Sequence, residues 1–200
     1  NSPENRPTIR PRYQAYAQAL TDHGIAVDPA LVVPGDWTVR AGREAVEVLL
    51  DQRHADIQAI VASNDNMALG ALEALQTRGI HVPYDMALVG FDDTQMSRLT
   101  TPSLTTVRQS MFELGAQGLA LLLAKIAGEE IPLEVLLPTK LIIRQSCGCL
   151  DPMVARAMTR SLICKVCSAT RPTKIVTSGT WRSTVYSSRP SEVKRRGCSA

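Results

Sequence analysis

The sequence predicts an α/β fold: a parallel sheet flanked by helices. Helical and strand-like segments alternate along residues 12–143, and the strand segments are nearly continuous apolar runs. Such runs belong to strands buried on both faces, the arrangement of a parallel sheet covered by helices. Hydrophobic residues make up 44% and charged residues 20% of the 200 positions, which suits a chain that is mostly folded.

The elements follow in order. Tyr13, Tyr16, Ala17 and Leu20 fall at helical spacing, and Gly24 ends that helix. Leu31-Val32-Val33 predicts a short buried strand closed by Pro34-Gly35. Ala41, Ala45, Val48 and Leu49 line a second helix, and Ile57 to Ala62 predicts a strand. Ala68, Ala71, Leu72 and Leu75 form the next helical face, stopped by Gly79. Met86 to Phe91 predicts another strand and Leu104 to Val107 a short extended piece. Met111, Leu114, Gly118, Leu122 and Ile126 line a long helix ending at Gly128. Val135 to Ile143 is the last strand, interrupted by Pro138.

Charge divides the chain. Residues 1–150 carry 12 basic and 17 acidic residues, a balance of −5; residues 151–200 carry 10 and 2, a balance of +8. The basic stretch also holds 14 Ser and Thr, so we place a boundary near Leu150-Asp151-Pro152. This divides the chain into a domain over 1–149 and a basic Ser/Thr-rich tail over 151–200. Scattered Lys and Arg without a helical stripe lead us to expect that the tail is disordered or non-native. A basic arm for nucleic acid or phosphate is the alternative. No apolar run reaches the roughly 18–20 residues of a spanning helix. Residues 1–12 have no apolar core of a signal peptide, and the chain lacks an initiator Met, so we expect it to start inside a longer protein.

Ligands of open α/β sheets bind outside the carboxyl ends of the strands. Three such ends are visible: Gly35-Asp36-Trp37-Thr38, Ser63-Asn64-Asp65-Asn66 and Asp92-Asp93-Thr94, with Arg12 opening the first helix. If all three strands share a sheet, one rim gathers an indole, an amide, carboxylates and a guanidinium. That set suits a sugar, a nucleoside or a similar small polar molecule. Each residue also has a plainer reading: a helix cap for Asn64, a turn for Asp92, packing for Trp37, a solvated charge for Arg12. Asp92 and Asp93 are adjacent, so on a strand end they point to opposite sides and form no acid/base pair.

Enzyme signatures are missing. The sequence has no G-x-x-x-x-G-K-[ST] loop, no G-x-G-x-x-G turn and no G-x-S-x-G elbow. His23, His54 and His81 stand singly and read as solvated or helix-terminal charges. Cys147-Gly148-Cys149, Cys164-x-x-Cys167 and Cys198 have no histidine at finger spacing, and reduced thiols are expected rather than zinc. No cofactor and no metal are expected.

Several segments resemble the lactose/galactose repressor family of bacterial regulators. Ala62 to Gly70 is similar to its A-x-N-D-x-M-A-L-G segment, and Ile80 to Asp93 to its G-I-x-V-P-x-D-x-x-[LV]-[VI]-G-[FY]-D-[DN]. Thr101 to Gln109 resembles T-P-x-L-T-T-[VI]-x-Q, and Leu137 to Arg144 the closing strand. Gly35-Asp36-Trp37 fits the G-D-[WF] turn. Arg12 to Tyr16 fits the R-x-x-G-[FWY] helix start, with Ala15 in place of Gly. The resemblance covers residues 1 to about 146.

It implies the second half of a periplasmic-binding-protein-like effector domain, truncated to mostly the C-terminal lobe. Arg12, Trp37, Asn64 and Asp92 take the positions of its ligand contacts. The helix over Met111–Ala127 would belong to the other lobe and lack most of its packing partner. The function implied is sensing of a small polar ligand, a sugar or nucleoside, by a cytoplasmic transcriptional regulator without catalysis. The regulator would be a homodimer away from membranes, meeting DNA only through an N-terminal helix-turn-helix outside this chain. Cys147-Gly148-Cys149 resembles versions of the domain fused to kinases or cyclases, which is the alternative, beside a transporter's solute-binding protein.

Overall fold

Three apolar runs of the sequence become neighbouring strands. The computed structural model describes residues 9–150 and 174–176. Strands β1 (Ala59–Val61), β2 (Ala87–Asp92) and β3 (Thr105–Gln109) pair parallel in that order. β4 (Leu136–Ile142) joins β3 antiparallel, and β5 (Lys174–Val176) lies antiparallel beside β4. The described sheet therefore runs β1-β2-β3-β4-β5. The helices are α1 (Ile9–Asp22), α2 (Val39–Val46, continued by a π-helical turn Glu47–Gln52), α3 (Asp65–Thr77), α4 (Gln95–Leu99) and α5 (Met111–Ile126).

The expected parallel order holds through β1–β3, where α3 and then α4 carry the chain back to the start of the next strand. A parallel return needs a crossover of about a dozen residues or more, and both connections supply it. β4 departs from this pattern. α5 has no buried residue, so it does not lie on the sheet as a crossover helix would. The chain instead comes back along the edge of β3 in the opposite direction. Phe112 (84% exposed) and Ile126 (73%) show how little of the apolar surface of α5 is covered among the described residues.

The strand expected at Leu31–Val33 does not form. Asp28 caps a 3-10 turn at Pro29–Leu31 instead. Pro29 and Pro34 have no N–H for a ladder. The carbonyls of Ala30 and Val32 accept from the Arg53 guanidinium at 2.5 and 3.2 Å, so a side chain occupies groups that a neighbouring strand would have used.

The core lies between the sheet and α3, with α2 packed outside. Asn64 starts α3: its Oδ1 accepts from Met67 N at 2.9 Å. Met67, Ala68, Ala71, Leu72, Ala74 and Leu75 are buried. The buried stripe is wide because α3 is covered on one side by β2 and on the other by α2. Small residues let the two helices touch backbone to backbone. A Cβ at Gly70 would lie 1.8 Å from Val39 O, and one at Gly42 2.0 Å from Met67 O. Gly70→Ala must force the helices apart, and chemical denaturation should show a loss at the upper end of the 1–3 kcal/mol typical of overpacking, about 3 kcal/mol.

After β4 the chain is pinned to the sheet. Ser146 Oγ donates to Leu88 O at 2.6 Å and accepts from Thr105 N at 2.8 Å. Cys147, fully buried, packs with Ala87. Cys164, Cys167, Cys198 and the rest of the tail proposed over 151–200, apart from β5, lie outside the described residues. Among the described residues no helix is long and apolar enough to cross a membrane, and no group of three or more His, Cys, Asp or Glu is placed to hold a metal ion.

Candidate functional site

Non-glycine residues at positive φ are uncommon, and they concentrate where the strands end. Asp92 (112°) and Asp93 (56°) lie at the end of β2, and Trp37 (71°) is bonded to Asn64 beyond the end of β1; His54 (49°) lies elsewhere. L-residues are held in such conformations only where surrounding contacts determine them.

At Trp37 those contacts are polar. Asp36 Oδ1 accepts from Thr38 N at 3.1 Å and Thr38 Oγ1 at 2.6 Å. Thr38 Oγ1 in turn accepts from Ala41 N and caps α2. Asn64 Nδ2 donates to Trp37 O at 3.0 Å, while its Oδ1 caps α3. The buried Asn64 amide thus ties the two helix starts together and fixes the tryptophan turn. Trp37 is partly buried and packs on the main core cluster.

Arg12 reaches the same place from α1. Its guanidinium stands over the Phe91 ring, 3.9 Å from the centroid, and NH1 donates to Ser63 O. Burial lowers its pKa and the charge of Asp92 opposes that. Asp92 mirrors it: burial raises its pKa, against Arg12 and a hydrogen bond from Gln109 Nε2 at 2.7 Å, while Asp65 adds a further upward push. The structure therefore brings together all four residues expected at the rim. Arg12 and Asp92, both half-buried, feel each other's charge, and Arg12 meets the backbone of Ser63 next to the Asn64 that holds Trp37.

Asp93, just past the end of β2, meets a different set of partners. Its side chain is 1% exposed and binds Arg98, Arg108 and Arg144. Burial alone would raise its pKa, but hydrogen bonds from Arg144 and Arg108, with Arg98 helping, take it down to about 2. Arg144 also donates to Leu104 O at 2.7 Å and Ser97 Oγ at 3.1 Å, locking α4 to the end of β4.

Asp65 is a second strut. It is fully buried and accepts from Thr94 N (2.7 Å), Thr94 Oγ1 (3.1 Å) and Thr106 Oγ1 (2.6 Å). Gly90 makes room for it, since a Cβ there would lie 2.4 Å from Asp65 Oδ1. Sequence reasoning put Asp65 and Asp93 in the strand-end clusters but gave neither a role, and it did not name Gln109 as part of the site. Gln109 emerges from the strand register, which sets Asp92 against Arg108, one residue away.

Polar groups gathered at the carboxyl ends of parallel strands, on a helix-covered sheet, define an α/β ligand-binding class of architecture. Residues 1–147 match the periplasmic binding protein-like domain, and the chain belongs to that family. Over 145 residues it is 38% identical to the HTH-type transcriptional repressor CytR of Escherichia coli (strain K12), covering 72% of this chain and 42% of that protein. The crystal structure of the Escherichia coli transcriptional repressor AscG aligns with a TM-score of 0.63 and 37% identity, over 70% of this chain and 51% of that one. A complex of the transcriptional regulator CelR with cellobiose aligns at 0.65 and 38%, over 68% and 41%. The chain spans less than half the length of the repressor CytR. The relatives are transcriptional regulators, and the likeness covers the α/β part described above.

Proposed function

We propose that this chain is the ligand-sensing part of a bacterial transcriptional regulator, binding a small polar molecule at Arg12, Trp37, Asn64 and Asp92 and catalysing nothing. One observation carries the reading: four separate segments converge on one rim, two of them through backbone held at positive φ. Asp92 and Arg12 hydrogen-bond opposite edges of the ligand, and the indole covers an apolar face. Asn64 acts through Trp37 and the α3 cap. A sugar fits this set, as does a nucleoside, and the cellobiose complex of a relative supports the sugar class. Ligand in the cleft favours one arrangement of a homodimer and so changes DNA binding through a helix-turn-helix encoded outside these residues. The regulator works in the cytoplasm. The upstream gene sequence tests this directly: a helix-turn-helix is expected, whereas an export signal would make it a solute-binding protein instead.

The rim should also titrate. Burial holds the Asp92 carboxyl above its ordinary 3.8, so it takes up a proton earlier on acidification than an exposed aspartate does. Ligand held by the charged form should weaken as pH falls toward the carboxylate range. Titrations from about pH 7 to about pH 4 should show this in the parent and a flat profile in Asp92→Asn.

A further inference from the structure

Beside the rim, on the flank of β3 and β4, the structure gathers more positive charge than its own carboxylate balances. Asp93 Oδ2 accepts from Arg98 NH2 at 3.2 Å and from Arg108 Nε, and Oδ1 accepts from Arg144 NH2. Arg144 is turned inward, 14% exposed, and binds two further oxygens. Arg98 and Arg108 stay open, at 56% and 43%, and each reaches Asp93 through one nitrogen. Lys140 is the cross-strand partner of Arg108 in the antiparallel ladder. Directly paired residues project from the same face, and like charges placed so repel without a counter-charge. One carboxylate therefore stands among three guanidiniums, with Lys140 opposite one of them in the ladder.

We propose that Arg98, Arg108 and Lys140 form a phosphate-binding site, taking inorganic phosphate or the phosphoryl group of a small metabolite. Asp93 holds two open guanidiniums on one oxygen, so little side-chain freedom remains to be lost on binding. The guanidinium fork matches phosphate oxygens, and a dianion offsets the surplus charge that Arg108 and Lys140 impose on each other. The site is independent of the sensing rim. Successive residues on β3 face opposite ways, so Arg108 meets Asp93 while Gln109 meets Asp92.

The test is calorimetric titration of the 200-residue chain at low ionic strength with inorganic phosphate, a hexose phosphate and the matching free hexose. Phosphate should bind with a dissociation constant on the order of millimolar. Lys140→Gln and Arg98→Gln should each weaken it about threefold, and together about tenfold, without lowering the melting temperature. Asp92→Ala should leave phosphate affinity unchanged, which keeps the outcome separate from that of the sensing rim. Equal affinity for both phosphates assigns the free ion, and clearly tighter hexose phosphate assigns a phosphorylated metabolite. Absence of phosphate binding, or equal binding in the parent and the double variant, overturns the proposal.

Discussion

Asp93→Ala should cost about 3–5 kcal/mol of folding stability, a large part of the 5–15 kcal/mol typical of a domain. The loss arises mainly at Arg144. That guanidinium is 14% exposed, and without Asp93 its charge stays buried with only Ser97 and Leu104 as partners. Arg98 and Arg108 are open enough to turn to solvent, so they contribute little. Urea denaturation of parent and variant measures the difference. The same carboxylate sets an acid limit. Its pKa is lowered from 3.8 to about 2 in the folded chain, so its contribution is complete above the unfolded value and is lost as pH falls between the two. The shift corresponds to about 2 kcal/mol. Asp93→Asn should flatten that limb of the stability profile while keeping the side-chain volume.

At the rim, Asp92→Ala or Arg12→Ala should weaken ligand binding by about 2–4 kcal/mol, or roughly 30- to 1000-fold. Each side chain is partly desolvated in the free protein, so its bond to the ligand has little competition from water. Truncating one leaves a ligand group facing a buried site without its partner. Trp37→Ala should cost less, about 1–3 kcal/mol, because it removes stacking area and no charge. Asn64→Ala couples two effects: the α3 cap, worth about 1 kcal/mol of stability, and the bond that fixes the Trp37 turn.

Most elements were legible because apolar spacing reports burial directly. The faces of α1 and α3 and the runs that become β1–β3 were readable for that reason. Leu31–Val33 was not, because its fate turns on Arg53, more than twenty residues away, whose side chain takes the carbonyls first. The antiparallel entry of β4 was hidden for a similar reason. The stripe Met111, Leu114, Leu122 alone does not say that the helix stands away from the sheet; the family resemblance, which put it in the other lobe without most of its packing partner, does. At the rim, residue type and position after a strand pointed to Asn64 and Asp92; Arg12 was read from the start of the first helix, and Trp37 from a strand that does not form, although the bond from Asn64 still carries it to the same place. Asp65 and Asp93 stood in the strand-end clusters, but their roles escaped because a buried carboxylate is recognised by its donors, and those come from Thr94, Thr106, Arg108 and Arg144, scattered along the chain. Asn64 shows that two readings can hold at once, since the same amide caps a helix and positions the indole.

The central claim is that a small polar ligand binds at the Arg12–Asp92 rim. Its most direct test is isothermal titration of the parent and Asp92→Ala, side by side, against cellobiose, other sugars and nucleosides. At least one compound should bind the parent and lose roughly 30- to 1000-fold in affinity to the variant, with melting temperatures showing both proteins folded. A compound that binds Asp92→Ala as tightly as the parent would place the ligand site elsewhere and contradict the account.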